Sequence, residues 1–286
     1  GTGRLSLTEP FRDADLDAFL SAGGLSAEAH ALLRDGVLAL DVPRAGRPGL
    51  EAALSARLPL GALRDVPAVA SHLPPDLPEG PLELTLDAPG FDSCALAASL
   101  PAGTDVVPVS GNLRVFATIP LADPFGGTAT VELEGASLET PAGRLAVPST
   151  ARVTLEGGRL SLEPVTVDGE RTSFLLSASA DLVPGARPGA ALAGLVSHVA
   201  VTAGGRADAA LLTPFLAGAA ASGEIALEAK VAGPPDALEG RVFLDGKGSR
   251  FSWPLAWPTE IRDPLLEADL TPGTASLTRG AALLNG

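Results

Sequence analysis

The chain has 286 residues and a net charge of −14, and 46% of it is hydrophobic although aromatics make up only 4%. That balance argues against nucleic acid as a partner, because a phosphate backbone needs a basic stripe. No apolar run approaches the ~18 residues of a bilayer-spanning helix.

With 33 Gly and 26 Pro punctuating Leu, Ala and Val, the composition suits roughly 15 to 18 short strands separated by turns. In chain order, Leu5 and Leu7 alternate in a short strand. A helix is expected over Asp13–Leu20, ended by Gly23-Gly24, and a second from Ser26, its N-cap, through Leu33. Val37–Val42 is a nearly continuous apolar run, either strand or buried helix. Residues 49–58 read as strand in preference to helix, since Pro59-Leu60-Gly61 closes them as a turn would. Leu63–Leu73 reads as a short helix or irregular linker, and Pro74–Pro78 as a stiff, extended connector.

Beyond the connector the texture changes. Leu82, Leu84 and Leu86 alternate strictly, Asp92–Leu100 is a candidate helix of one to two turns, and Gly111–Ile119 alternates again. A turn at Pro120–Pro124 leads into Thr128–Leu133 and Ser137-Leu138. Val153 and Leu155 precede Gly157-Gly158, a hairpin signal. Leu160 to Val167 follow, and Phe174–Leu182 is a long alternating strand. Ala190–Val201 is apolar and ambiguous, and Asp208–Leu216 is amphipathic and reads as helix despite Pro214. Ile225 to Val231, the turn Gly233-Pro-Pro-Asp236, Val242-Leu244, an aromatic–proline patch and two strands around Pro272-Gly273 complete the chain.

The last third repeats the middle. Asp92-SCALAASL matches Asp208-AALLTPFL, and Ser110-Gly111-NLRVFATI matches Ser222-Gly223-EIALEAKV. Gly126-Gly127-TATVELEGASL matches Glu239-Gly240-RVFLDGKGSRF, and Ala151-RVTLEGGRLSL matches Leu265-LEADLTPGTASL. The order is kept at an offset of roughly 112 to 116 residues, far longer than ordinary solenoid periods. Residues 1–79 therefore form a loosely matching unit, 80–186 repeat unit one, and 187–286 repeat unit two, truncated at its C-terminus. Such alternation gives one apolar and one polar face. The apolar face can close on a second sheet as a sandwich, or curl into an open trough.

No reactive centre emerges. His30, His72 and His198 lack metal-ligand spacing, and Cys94 reads as a small core residue. Glu132/Glu134 and Asp123/Glu139 fall on outward strand positions or turns. Gly126-Gly127 and Gly157-Gly158 lie between strands and not before helices, which does not suit a phosphate loop. Trp253 and Trp257 read as corner packing. The chain is expected not to be an enzyme, with no catalytic residue, metal or cofactor.

Residues 208–286, with DAALLTPFL, ASGEIALEAKVAG, LEGRVFLDG and the corner Pro258-Thr-Glu-Ile261-Arg-Asp-Pro264-Leu265, resemble the TamB family of AsmA-like bacterial proteins. The resemblance extends well over residues 80–286 and loosely before them; the double Pro234-Pro235 and the low aromatic content depart from the family pattern. It implies a mostly β fold: an elongated, curled (taco-like) antiparallel sheet of repeated units with a few short helices and an apolar groove along its inner face. It further implies a periplasmic location in a parent anchored in the inner membrane. Phospholipid acyl chains, and an Omp85-type outer-membrane barrel bound through other parts of the parent, would be the partners. The expected groove lining is Leu113, Val115, Ile119, Val131, Leu133, Val153, Leu155, Leu176, Ile225, Leu227, Val231, Val242, Leu244 and Leu270. The alternative is a periplasmic scaffold that assists insertion of barrel proteins.

Overall fold

Period-two alternation dominates the chain, and the computed structural model turns nearly all of it into strand. It describes residues 2–9, 13–22, 25–47, 50–65, 71, 73–94, 108–140, 142–183, 192–216, 218–253 and 259–285. Chain contacts divide the molecule into two units, Gly1–Glu134 with Arg152–Gly158, and Gly135–Ala151 with Arg159–Gly286.

The first unit is an antiparallel succession: β1 (Thr2–Glu9), β2 (Asp13–Ala22), β3 (Leu25–Arg34), β4 (Val37–Arg47), β5 (Leu50–Pro59), β6 (Leu82–Asp92) and β7 (Val109–Ile119) each pair with the next. β8 (Thr128–Thr140) starts here and pairs with β10 (Ala151–Glu156). Between β5 and β6 lie a 3-10 turn, Leu60–Asp65, and a segment that is not the extended connector expected. Pro75-Asp76 is a turn, and Gly61 N–H donates to the Pro78 carbonyl (2.9 Å), folding the segment back against the end of β5.

The helices expected over Asp13–Leu20 and Ser26–Leu33 are strands. Their composition is helix-tolerant, but their period is two. Asp13, Asp15 and Asp17 are exposed while Ala14, Leu16 and Ala18 are half-buried, and Ser26, Glu28 and His30 alternate likewise with Ala27, Ala29 and Ala31. Pairing with neighbours on both sides of β2 and β3 outweighs the few tenths of a kcal/mol per residue by which propensity favours helix. Asp35 and Gly36, at φ 48° and 75°, form the two-residue turn that closes the β3–β4 hairpin.

In the second unit β9 (Gly143–Ala146) meets β8 and β11 (Arg159–Gly169). From β11 the order runs through β12 (Thr172–Leu182), β13 (Val196–Asp208), β15 (Glu224–Gly233), β16 (Glu239–Asp245), β18 (Thr259–Thr271) and β19 (Thr274–Asn285). Short β14 (Ala220–Ser222) pairs with β17 (Arg250–Trp253). Of the expected corner Pro258–Leu265, Pro258 lies outside the described residues and the rest holds a bulge inside β18, at Asp263 (φ 49°). Before it β18 pairs with β17, and after it with β16. Asp263 accepts from Gly248 N–H (2.6 Å), and Gly246 N–H donates to the Pro264 carbonyl (2.7 Å), so the β16–β17 turn braces the change of partner.

The expected helix Asp208–Leu216 is a 3-10 segment, Ala209–Phe215, which accommodates Pro214. With β13 and β15 it builds the one core cluster that the described residues form around full burial: Ala207, Ala209, Ile225 and Phe251, flanked by Leu211, Leu212 and Trp253. Trp253 thus packs a corner; Trp257 and most of the expected helix Asp92–Leu100 lie outside the described residues. Cys94 is exposed and not a core residue, because it sits in the first turn after β6.

The blocks that match in sequence occupy matching places. Asp92 ends β6 and accepts from Cys94 N–H (2.9 Å), and Asp208 ends β13 and accepts from Ala210 N–H (2.9 Å). Gly127 and Gly240 both bring the next strand hard against the one before. A Cβ at Gly127 would lie 2.4 Å from the Thr118 carbonyl oxygen, and one at Gly240 would lie 2.0 Å from that of Lys230. The expected outcome for Gly240→Ala is therefore a loss of about 2–4 kcal/mol in urea unfolding, from backbone strain and collision together. Gly204→Ala, with open space at its Cβ, should change stability by less than about 0.5 kcal/mol; equal midpoints for the two variants would contradict this geometry.

Candidate functional site: one apolar face

Antiparallel register places the apolar side chains in rows that cross many strands. In the first unit one row runs Leu16, Ala31, Leu40, Ala56, Leu84, Ala117, and beside it lies Val42, Leu54, Leu86, Val115. In the second unit three rows lie side by side. They are Leu162–Ala178–Val201–Val231–Gly240–Leu270, Val165–Leu176–Ala203–Ala229–Val242–Ala268, and Val167–Phe174–Gly205–Leu227–Leu244–Leu266.

The residues expected to line a groove are distributed over these faces. Leu113, Val115 and Ile119 share one face of β7, opposite Ala88, Leu86 and Leu82. Arg152 donates to Glu132 Oε1 through Nη2 (2.8 Å) and Nε (3.0 Å), which fixes the polar side of β8 and β10. Val131, Leu133, Val153 and Leu155 therefore point the other way. Leu176, Leu227, Val231, Val242, Leu244 and Leu270 share the apolar face of the second unit, and all thirteen residues other than Ile225 are half-buried. Ile225 is 1% exposed and belongs to the core cluster under the 3-10 segment.

Half-burial along most of each row is the informative quantity. Among the described residues, 13 hydrophobic side chains are buried, and four of them are the first unit's Val42, Leu60, Ala62 and Ala88.

In each unit the opposite face is richer in charge and laced with ion pairs, including Arg114–Asp87 (3.7 Å), Arg159–Asp181 (3.7 Å) and Arg241–Asp269 (2.9 Å), although Phe19, Phe116 and Leu175 are exposed on it. These are solvent-exposed pairs of small individual worth. Among the described residues no group of three or more His, Cys, Asp or Glu is placed to hold a metal, and no helix is long and apolar enough to cross a membrane.

The polar face carries one histidine in a strongly acidic setting. His30 Nδ1 lies 2.5 Å from Asp17 Oδ1, Glu28 is 3.9 Å from Nε2, and Asp41 sits directly across on β4. The hydrogen bond to Asp17, with the charges of Asp17, Glu28 and Asp41, raises the His30 pKa above its ordinary 6.5. On β18 the hydrogen bond from Arg262 lowers the pKa of Glu260 below its ordinary 4.5. The Asp17–His30 pair therefore contributes stability that is complete below about 6.5 and is lost as pH rises through the raised folded value. For Glu260 the contribution is complete above about 4.5 and is lost as pH falls through the lowered folded value. An NMR titration should place the His30 ring above 6.5 in the wild type, and Asp17→Asn should move it down; identical titrations would refute the pairing.

Set beside known proteins, the chain has no counterpart among protein-family models, curated sequences or solved structures that matches it.

Proposed function

We propose that this chain is a lipid-conducting segment: acyl chains of phospholipids lie along its apolar face and move from row to row, as in a periplasmic bridge between inner and outer membranes. The observation that carries this reading is the coexistence of long apolar rows with little full burial. A face that merely closed a sandwich would bury Leu84, Leu86, Val115, Val231 and Val242, which are instead half-exposed.

The energetics suit the task. Each CH₂ drawn from a membrane into water costs about 0.8 kcal/mol, so a chain of roughly 16 carbons faces a gross cost of about 12 kcal/mol. Uninterrupted apolar rows remove most of that cost without a tight site at any one point, and so allow movement. The wall needs no nucleophile, acid–base pair or metal. The likeness of residues 208–286 to AsmA-like sequences agrees with the same reading.

A second reading rests on β19. Its described residues are all exposed, with Leu277, Leu283 and Leu284 at 62%, 60% and 70%. A strand this exposed, paired with β18 on one side, can template an added strand, as a scaffold for nascent barrel proteins would require.

Gently purified protein should carry phospholipid in native mass spectrometry, and Leu227→Arg and Leu155→Arg should each lower lipid transfer between vesicles at least tenfold. Protein that is free of lipid, with unimpaired transfer by both variants, would sink the conduction reading. Crosslinks from β19 to unfolded barrel protein in that case would favour the scaffold.

A further inference from the structure

The geometry points to a fixed bank along the acyl-chain surface of the second unit. The 3-10 segment Ala209–Phe215, with Phe251 and Trp253, covers the row beyond Leu227 and stops the movement of acyl chains from row to row at Ile225. This inference rests on the apolar face as an acyl-chain surface and adds where that surface ends.

Four rows, not three, lie on this face. Past the row of Gly205 and Leu227, the alternation on β13 and β15 continues to Ala207 and Ile225, which stand opposite each other. The β12–β13 register, with Ser173 opposite Arg206, carries the same row to Thr172. Gly205 and Leu227 are half-buried, whereas Thr172, Ala207 and Ile225 are buried. The change falls within two residues, about 6.8 Å of strand. Curvature of a sheet would bury successive rows by degrees. A step this short requires a separate body that lies on one row and leaves the next open.

The sequence supplies that body and fastens it at both ends. Asp208 closes β13; its carboxylate accepts from Ala210 N–H (2.9 Å), and its own N–H donates to Thr172 Oγ1 (3.1 Å). Ala209 has no exposed surface, and its N–H donates to the Gly223 carbonyl (2.8 Å). At the far end Ala219 N–H donates to the Leu216 carbonyl (2.7 Å), and β14 is paired with β17. The crossing between β14 and β15 is tight as well: a Cβ at Gly223 would lie 2.7 Å from the Gly248 carbonyl oxygen. Two fastened ends and a fully buried Ala209 make this a bank and not a lid that lifts.

Its inner side is aliphatic. Leu211, Leu212 and Leu216 pack on the Ala207–Ile225–Phe251 cluster, and Leu244 belongs both to that packing and to the row of Leu227. Where the chain covers its own apolar face here, it does so with the leucines of one segment and an aromatic corner, not with a second sheet layer. The three rows beyond offer the same aliphatic chemistry half-exposed, the setting in which a hydrocarbon chain replaces water.

The test irradiates the intact chain with a phosphatidylcholine that carries a diazirine near the end of one acyl chain, and maps the adducts by peptide mass spectrometry. Leu227, Val231 and Leu244 should be labelled. Ala207 and Ile225 should reach no more than about a tenth of that yield, the share of a minor open state. Leu175 is more exposed than Leu227 and lies on the opposite face; it controls for contact with any exposed leucine and should stay as low as Ile225. Leu211→Ala combined with Leu212→Ala thins the bank and should raise the yield at Ile225 about tenfold, to the level of Leu227. Labelling of Ile225 in the wild type equal to that of Leu227 would overturn the bank while leaving the acyl-chain surface intact. An unaltered Ile225 yield in a double variant that unfolds cooperatively would do the same, and the wild-type map decides alone where that variant fails to fold. Leu175 labelled as strongly as Leu227, or rows without adducts, would remove the acyl-chain surface and this inference with it.

Discussion

Strand register is the constraint on which everything else depends. Side chains alternate between faces with a period of two, so a slip of one residue in any pair would turn its whole apolar set to the polar side. Here the pairs hold register over six strands in each unit, interrupted by bulges such as those between Val42 and Ala45 and between Arg262 and Leu265. The ion pairs on the polar face act as register marks more than as sources of stability. Arg152 can reach Glu132, and Arg114 can reach Asp87, only if Leu133, Val153 and Val115 look the other way.

A surface of this kind differs from a pocket in what it asks of sequence. A pocket fixes a few groups in three dimensions. A row of half-buried aliphatic side chains needs only volume and polarity, and it tolerates exchange among Leu, Val, Ile and Ala at each position. The two stretches whose sequences match behave accordingly. They retain the devices that set geometry, namely the aspartate that ends β6 or β13 and the glycine pressed against the preceding strand at Gly127 or Gly240. The row residues between them differ freely in identity while keeping their alternation.

Much of the strand pattern was legible because it rests on local alternation: β5 to β8, β10 to β12, β15 and β16 follow it directly, and Gly157-Gly158 makes the expected turn with φ of 56° and 76°. β2 and β3 were obscured by composition, since Ala, Glu and Leu suggest helix and Ser26 resembles a cap. The period of two in Asp13–Phe19 and the Asp35-Gly36 turn were the signals that contradict helix, and both were present. Ile225 could not be separated by pattern from Leu227 and Val231, because its burial comes from a 3-10 segment that folds over the end of β15.

The scarcity of fully buried side chains has a thermodynamic corollary. A layer whose strands each contact chiefly their two neighbours gains stability locally, pair by pair, as stacked repeats do. The surface newly exposed on unfolding is then small for the length of chain, so the denaturant slope and the heat-capacity increment per residue fall below those of ordinary globular domains. The unit with the Ala207–Ile225–Phe251 cluster would persist after strands remote from it have opened. Melting by stages, and not as one transition, is the thermal signature that such a wall would carry.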